Sequence, residues 1–156
     1  VFLLEPYFRS LGKRLSKTPK LYFTDTGLAA YLMGFASAAA LWASREAGAL
    51  WETHVVNQWL RWRDWREPSL GLWYWRDQGG NEVDLLLERD RKMAAVECKI
   101  KEQPHRKDLQ GIERLRKFYG KDEVPKAYVA CPTEVPFDLD HGTTAVSGWE
   151  VWPLGL

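Results

Sequence analysis

Three apolar runs, residues 72–75, 83–87 and 93–100, follow one another with only short polar connections, and this spacing constrains the fold more than any other feature of the chain. The first connection, Asp77-Gln-Gly-Gly-Asn81, is built from turn formers, and the second, residues 88–92, is polar. The runs therefore predict an antiparallel meander of three strands. Ahead of it, residues 46–66 predict one long helix, because Leu50, Trp51, Val55, Trp59 and Trp62 recur at helical spacing and Pro68 and Gly71 lie just beyond its end. A second helix is expected over 105–118, with Leu109, Ile112, Leu115 and Phe118 on one face and a stop at Gly120. A strand at 127–131 and a last one near 146–152 complete an α/β layer arrangement.

The first 35 residues read as a short strand through Phe8, a basic connection with Lys13, Arg14, Lys17 and Lys20, a strand at 21–23, and a helix opening at Asp25 or Thr26. The basic connection is either a wing against a phosphate backbone or a solvated loop. Residues 37–44 are small and Ala-rich, which places an internal boundary there and divides the chain into 1–44 and 45–156. The chain opens on Val1 rather than Met and runs straight into apolar residues, the expected look of a piece of a longer protein.

With 46% hydrophobic and 28% charged residues, the chain can bury a core. Its net charge of +1 creates no global field toward nucleic acid or membrane, so any such contact needs a local patch. No apolar run approaches the roughly 20 residues that cross a bilayer, and no signal peptide opens the chain, so a soluble, cytoplasmic setting without membrane contact is expected. Cys98 and Cys131 are too few for a disulfide framework or a four-cysteine zinc site and read as small buried hydrophobes. The Gly-x-x-x-x-Gly-Lys-Ser/Thr loop of nucleotide hydrolases is absent from the sequence.

Chemistry concentrates on two strands. In Val96-Glu97-Cys98-Lys99-Ile100, alternation puts Glu97 and Lys99 on one face and Cys98 on the other. Charges on an otherwise apolar strand must be exposed, satisfy each other, or bind something. Asp84 interrupts the apolar run of the preceding strand, where it can face Glu97 across a short loop. Such hard oxygen donors suit magnesium or manganese. Glu52 on the long helix offers a further acid. The plain alternatives are an exposed Glu97–Lys99 ion pair and solvent-facing positions for Glu52 and Glu82. Trp73, Tyr74 and Trp75 read as core more readily than as base-stacking groups. Arg61, Arg63, Arg66 and Arg76 are a candidate phosphate-facing patch interleaved with acids; His54, beside Glu52 but facing another side, reads as an ordinary packed or surface histidine rather than a ligand, and His105 and His141 lack ligand-spaced partners. Gln110 is a candidate substrate contact.

A helix acid, then an Asp on one strand, then an acid-x-Lys triplet on the next, here Glu52, Asp84 and Glu97-Cys98-Lys99, resembles the PD-(D/E)XK nuclease superfamily. Lys20-Leu-Tyr-Phe-Thr-Asp-Thr-Gly27, Trp51-Glu-Thr-His-Val-Val-Asn57, Tyr74-Trp-Arg-Asp77 and Asn81-Glu-Val-Asp84 look like the C-terminal region of bacterial and archaeal AAA-type ATPases that end in a nuclease-like domain of uncharacterised function. The resemblance covers residues 1–120 and implies a restriction-endonuclease-like core preceded by the end of a winged helix. It implies magnesium, or manganese in its place, on Asp84 and Glu97 with Glu52 auxiliary, Lys99 as the catalytic cation, and DNA as substrate. It also implies an ATP-binding part upstream of this stretch. The alternative is a catalytically silent module that binds DNA or a partner for that ATPase, or an accessory packing domain.

Overall fold

The protein is described here from a computed structural model over residues 1–8 and 18–156. Strands β1 (Phe2–Leu4) and β2 (Lys20–Tyr22) pair antiparallel, with Leu4 opposite Lys20. Lys13, Arg14 and Lys17 lie outside the described residues. Helix α1 (Thr26–Leu32) opens where Asp25 accepts a 2.8 Å bond from the Leu28 amide. The Ala-rich stretch forms a short helix of its own, α2 (Ala38–Trp42), capped by Ser37. The long helix α3 is Ala47–Arg66.

The meander is present: β3 (Gly71–Arg76), β4 (Glu82–Arg89) and β5 (Lys92–Cys98) are antiparallel neighbours. A crossover follows, made of a 3-10 turn (Arg106–Leu109) and helix α4 (Gln110–Tyr119). It leads to β6 (Lys126–Cys131), parallel to β5. Strands β7 (Phe137–Leu139) and β8 (Thr143–Ser147) complete a mixed six-stranded sheet in the order β3-β4-β5-β6-β8-β7. α3 packs on one face, where Trp51, Val55, Val56 and Trp59 meet Leu85, Leu87, Val96 and Val146. α4 covers the other, with Ile112 and Leu115 against Val83, Leu86, Met93 and Ala127.

Several boundaries differ from the sequence expectation for physical reasons. β1 stops at Leu4, and beyond it Pro6, which has no N–H, makes only an isolated bridge to Tyr74. β8 ends at Ser147 rather than Trp152: the chain turns at Gly148, which lies so close to the Trp51 ring that a Cβ there would sit 2.4 Å from it. β7 has a short, largely exposed sequence with no apolar run to announce it. Phe118 and Trp62, expected on buried faces, are exposed.

One irregularity bears on function. Trp73 pairs with Leu86 and Trp75 with Val83, so β4 takes three steps where β3 takes two. This bulge falls at Asp84 and Leu85, and bulges of this kind re-aim side chains. Strict alternation fails accordingly, since Val83 and Leu86 enter one cluster while Leu85 and Leu87 enter the other.

Candidate active site

Asp84 is fixed by the strand beside it: its Oδ2 accepts a 2.8 Å hydrogen bond from the Cys98 amide. The pairing Leu85 with Val96, continued one residue, sets Asp84 across from Glu97. Both carboxylates are buried, 8% exposed each. Lys99 Nζ lies 2.6 Å from Glu97 Oε1, whereas Glu97 Oε2 is buried with no hydrogen-bond partner among the described residues. Glu52 reaches the cluster from α3, and its Oε1 accepts from Lys20 Nζ at 2.8 Å and from the Tyr22 hydroxyl at 2.5 Å. Lys20 also pairs with Glu82 and lies 3.7 Å from Asp84 Oδ1. The second oxygen of Glu82 meets Arg76 at 2.5 Å. One carboxylate oxygen each from Glu52, Glu82 and Asp84 falls within 4.8 Å of the others.

Burial, then the neighbouring charge of Glu52, pushes the Asp84 carboxyl above its ordinary range, against the pull of Lys20 and the Cys98 amide. Burial and the Asp84 charge push Glu97 up likewise, with Lys99 opposing. Lys20 experiences the reverse balance: burial alone would lower its pKa, but Glu52 and Asp84 hold it well above the ordinary lysine value. Burial and the nearby acids keep Cys98 a thiol.

The structure thus brings Glu52 and Asp84 within ligand distance of each other, while Glu97, paired with Lys99 and electrostatically coupled to Asp84, lies outside that group. Glu82 joins Glu52 and Asp84 rather than facing solvent. Lys20 and Tyr22 belong to the cluster too, and sequence reasoning missed them; their spacing of two on a strand was the available signal. The recurring motifs acquire physical roles. Asn57 Nδ2 donates to the Phe23 carbonyl at 2.8 Å, tying β2 to α3. Asp77 accepts two bonds from Asn81, at 2.9 and 2.8 Å, and one from Arg114, fixing the β3–β4 turn.

Other candidates take structural places. Tyr74 and Trp75 are buried in opposite clusters. Arg61 donates to the Thr24 carbonyl, Arg63 pairs with Asp64, and Arg66 lies over Trp65. His54 stacks on Trp51, burial and then Arg61 lowering its pKa; His141 meets Glu113; His105 caps the 3-10 turn. Gln110 is exposed, and Gly111 beside it lies against the Glu82 carbonyl. Both cysteines are free and buried. No helix among the described residues is long and apolar enough to cross a membrane.

Fold and site together define an α/β domain with a mixed sheet whose end carries four carboxylates and two lysines. The chain belongs to the DUF4143 family, a domain of unknown function, whose match spans residues 47–154; residues 1–39 match a second domain of unknown function, DUF8612. Uncharacterised proteins of Mycobacterium bovis and Mycobacterium tuberculosis are each 36% identical over 153 residues, 97% of this chain and 32% of theirs. The chain therefore spans about a third of the length of these curated relatives. No solved structure matches.

Proposed function

We propose that this domain cleaves DNA phosphodiester bonds with a magnesium ion, manganese serving as substitute, through a PD-(D/E)XK-like site made of Asp84, Glu97, Lys99 and Glu52. The observation that carries the reading is the convergence of two buried acids with Lys99, one of whose partners, Glu97, keeps an unpaired buried oxygen. A buried carboxylate oxygen without a donor is costly unless a ligand satisfies it. The donor set fits a hard divalent cation: its ligand atoms are carboxylate oxygens, and the Lys20 ammonium is already drawn to two of these acids, Glu52 and Asp84, and to Glu82 beside them.

Asp84, Glu97 and Glu52 would hold the ion, which supplies Lewis acidity that lowers a water's pKa and screens the attacked phosphate. The protein's own groups do the rest. The Cys98 amide keeps Asp84 oriented. Lys99 stands beside Glu97 as a preorganised cation that orients the attacking water or offsets the charge developing on phosphorus. Residues 1–44 are read as the end of a winged helix, and the whole protein as an AAA-type ATPase that delivers DNA to this domain.

A catalytically silent module that binds DNA or a partner is the second reading, and Lys20 favours it, since its ammonium already occupies the space among Glu52, Glu82 and Asp84 without a metal. The two are separated by incubating plasmid, linear and branched DNA with magnesium or manganese and the domain, its Glu97→Gln variant and its Lys99→Ala variant. The nuclease reading predicts cleavage by the parent, a loss of at least about 100-fold in Lys99→Ala, and none in Glu97→Gln. Cutting by all three at one rate contradicts the site assignment; cutting by none favours the silent module.

A further inference from the structure

We propose that Lys20 is a tethered cation that closes the acidic site, so that a divalent ion gains Glu52, Glu82 and Asp84 only when the β2 segment withdraws. The inference rests on the metal reading given above. The Lys20 ammonium lies 2.8 Å from Glu52 Oε1, pairs with Glu82, and is 3.7 Å from Asp84 Oδ1. These oxygens span no more than 4.8 Å, space for one cation among them. An ammonium and a hard divalent ion compete for the same lone pairs, and the two charges repel at contact distance. Glu97 Oε2 also stays buried without a hydrogen-bond partner among the described residues.

The closing group also sits on a strand outside the six-stranded sheet that carries Glu82 and Asp84. Tyr22, two residues along β2, donates to the same Glu52 oxygen, so one short strand supplies both blocking contacts. Among the described residues that strand pairs only with β1, and the pair is held to the domain by the buried Leu4 and Tyr22 side chains, so its withdrawal must uncover them. It is tied to α3 through the Asn57 bond to the Phe23 carbonyl. The acids fall in the stretch matched by one family and Lys20 in the stretch matched by another, so the site and its closure come from different segments.

Calorimetric titration of manganese into the full chain tests the idea with Lys20→Met, which keeps the apolar stem and removes the charge, and with Lys20→Arg, which keeps the charge. Lys20→Met is expected to bind manganese at least tenfold more tightly than the parent, and Lys20→Arg no more tightly. Equal or weaker binding by Lys20→Met, with the parent binding normally, overturns the closure and leaves the metal reading standing. Absence of binding by both the parent and Lys20→Met removes the metal reading and the closure with it. A measurement on the parent keeps the test independent of the variant's folding: acylation of the Lys20 amine, followed by mass spectrometry, should be several-fold faster in saturating manganese. An unchanged rate while manganese is bound contradicts the displacement of Lys20.

Discussion

Glu97 has one oxygen on Lys99 and the other buried without a partner, so glutamine at this position keeps the shape and removes the buried charge. Glu97→Gln should raise metal-free stability at pH 8 by about 1 to 2 kcal/mol, since each unit of raised carboxyl pKa corresponds to roughly 1.4 kcal/mol, while weakening manganese binding at least tenfold. Urea unfolding and calorimetry check the two halves. The sign of the pH dependence follows from the same groups. Asp84 and Glu97 have raised folded-state pKa values, so below the ordinary carboxyl range near pH 4 both states are protonated and neither group costs stability. As pH rises the unfolded chain ionises first, and stability is lost until the folded values are passed. The metal-free melting temperature should therefore fall from pH 5 upward through neutral, more steeply in the parent than in Glu97→Gln. Magnesium should flatten the slope. At this scale Asp84, Glu97 and Lys99 were legible because charges interrupting an apolar strand need a reason. Lys20 was not, since a lysine bordering a basic stretch looks solvated until the fold brings it to Glu52.

Elements were legible where they bury one continuous face, as in α4, or string apolar runs between turn formers, as in the meander, and hidden where burial or geometry breaks the pattern. The bulge in β4 is an example: Val83 to Leu87 are buried on both sides of the sheet, so no alternation exists for an extra residue to disturb. The contact of α4 with β4 was equally hidden. A Cβ on Gly111 would meet the Glu82 carbonyl oxygen at 1.8 Å, so the helix reaches the strand only with glycine there. Gly111→Ala should destabilise by about 3 kcal/mol or more through backbone displacement, and by shifting Glu82 should also change manganese affinity; thermal melts and titration of one sample measure both. Asn57→Ala, which frees the Phe23 carbonyl, should cost about 1 to 3 kcal/mol.

For the whole molecule, the Ala-rich stretch that forms α2 stands out in composition, yet the contacts across it do not. Leu4 and Tyr22 are buried in the same cluster as α3, and Lys20 and Tyr22 complete the acidic site. Residues 45–156 alone should still melt cooperatively but about 10 °C or more below the full chain, given roughly 2 to 3 kcal/mol for each large apolar side chain uncovered; differential scanning calorimetry of the two lengths decides it. The central claim, that the converging carboxylates form a divalent metal site, is tested most directly by anomalous diffraction from crystals soaked in millimolar manganese. The account predicts one strong peak bonded to Asp84 and Glu52, with the Lys20 ammonium displaced from Glu52. Lys20 still bound to Glu52, with no peak among these acids, would contradict it.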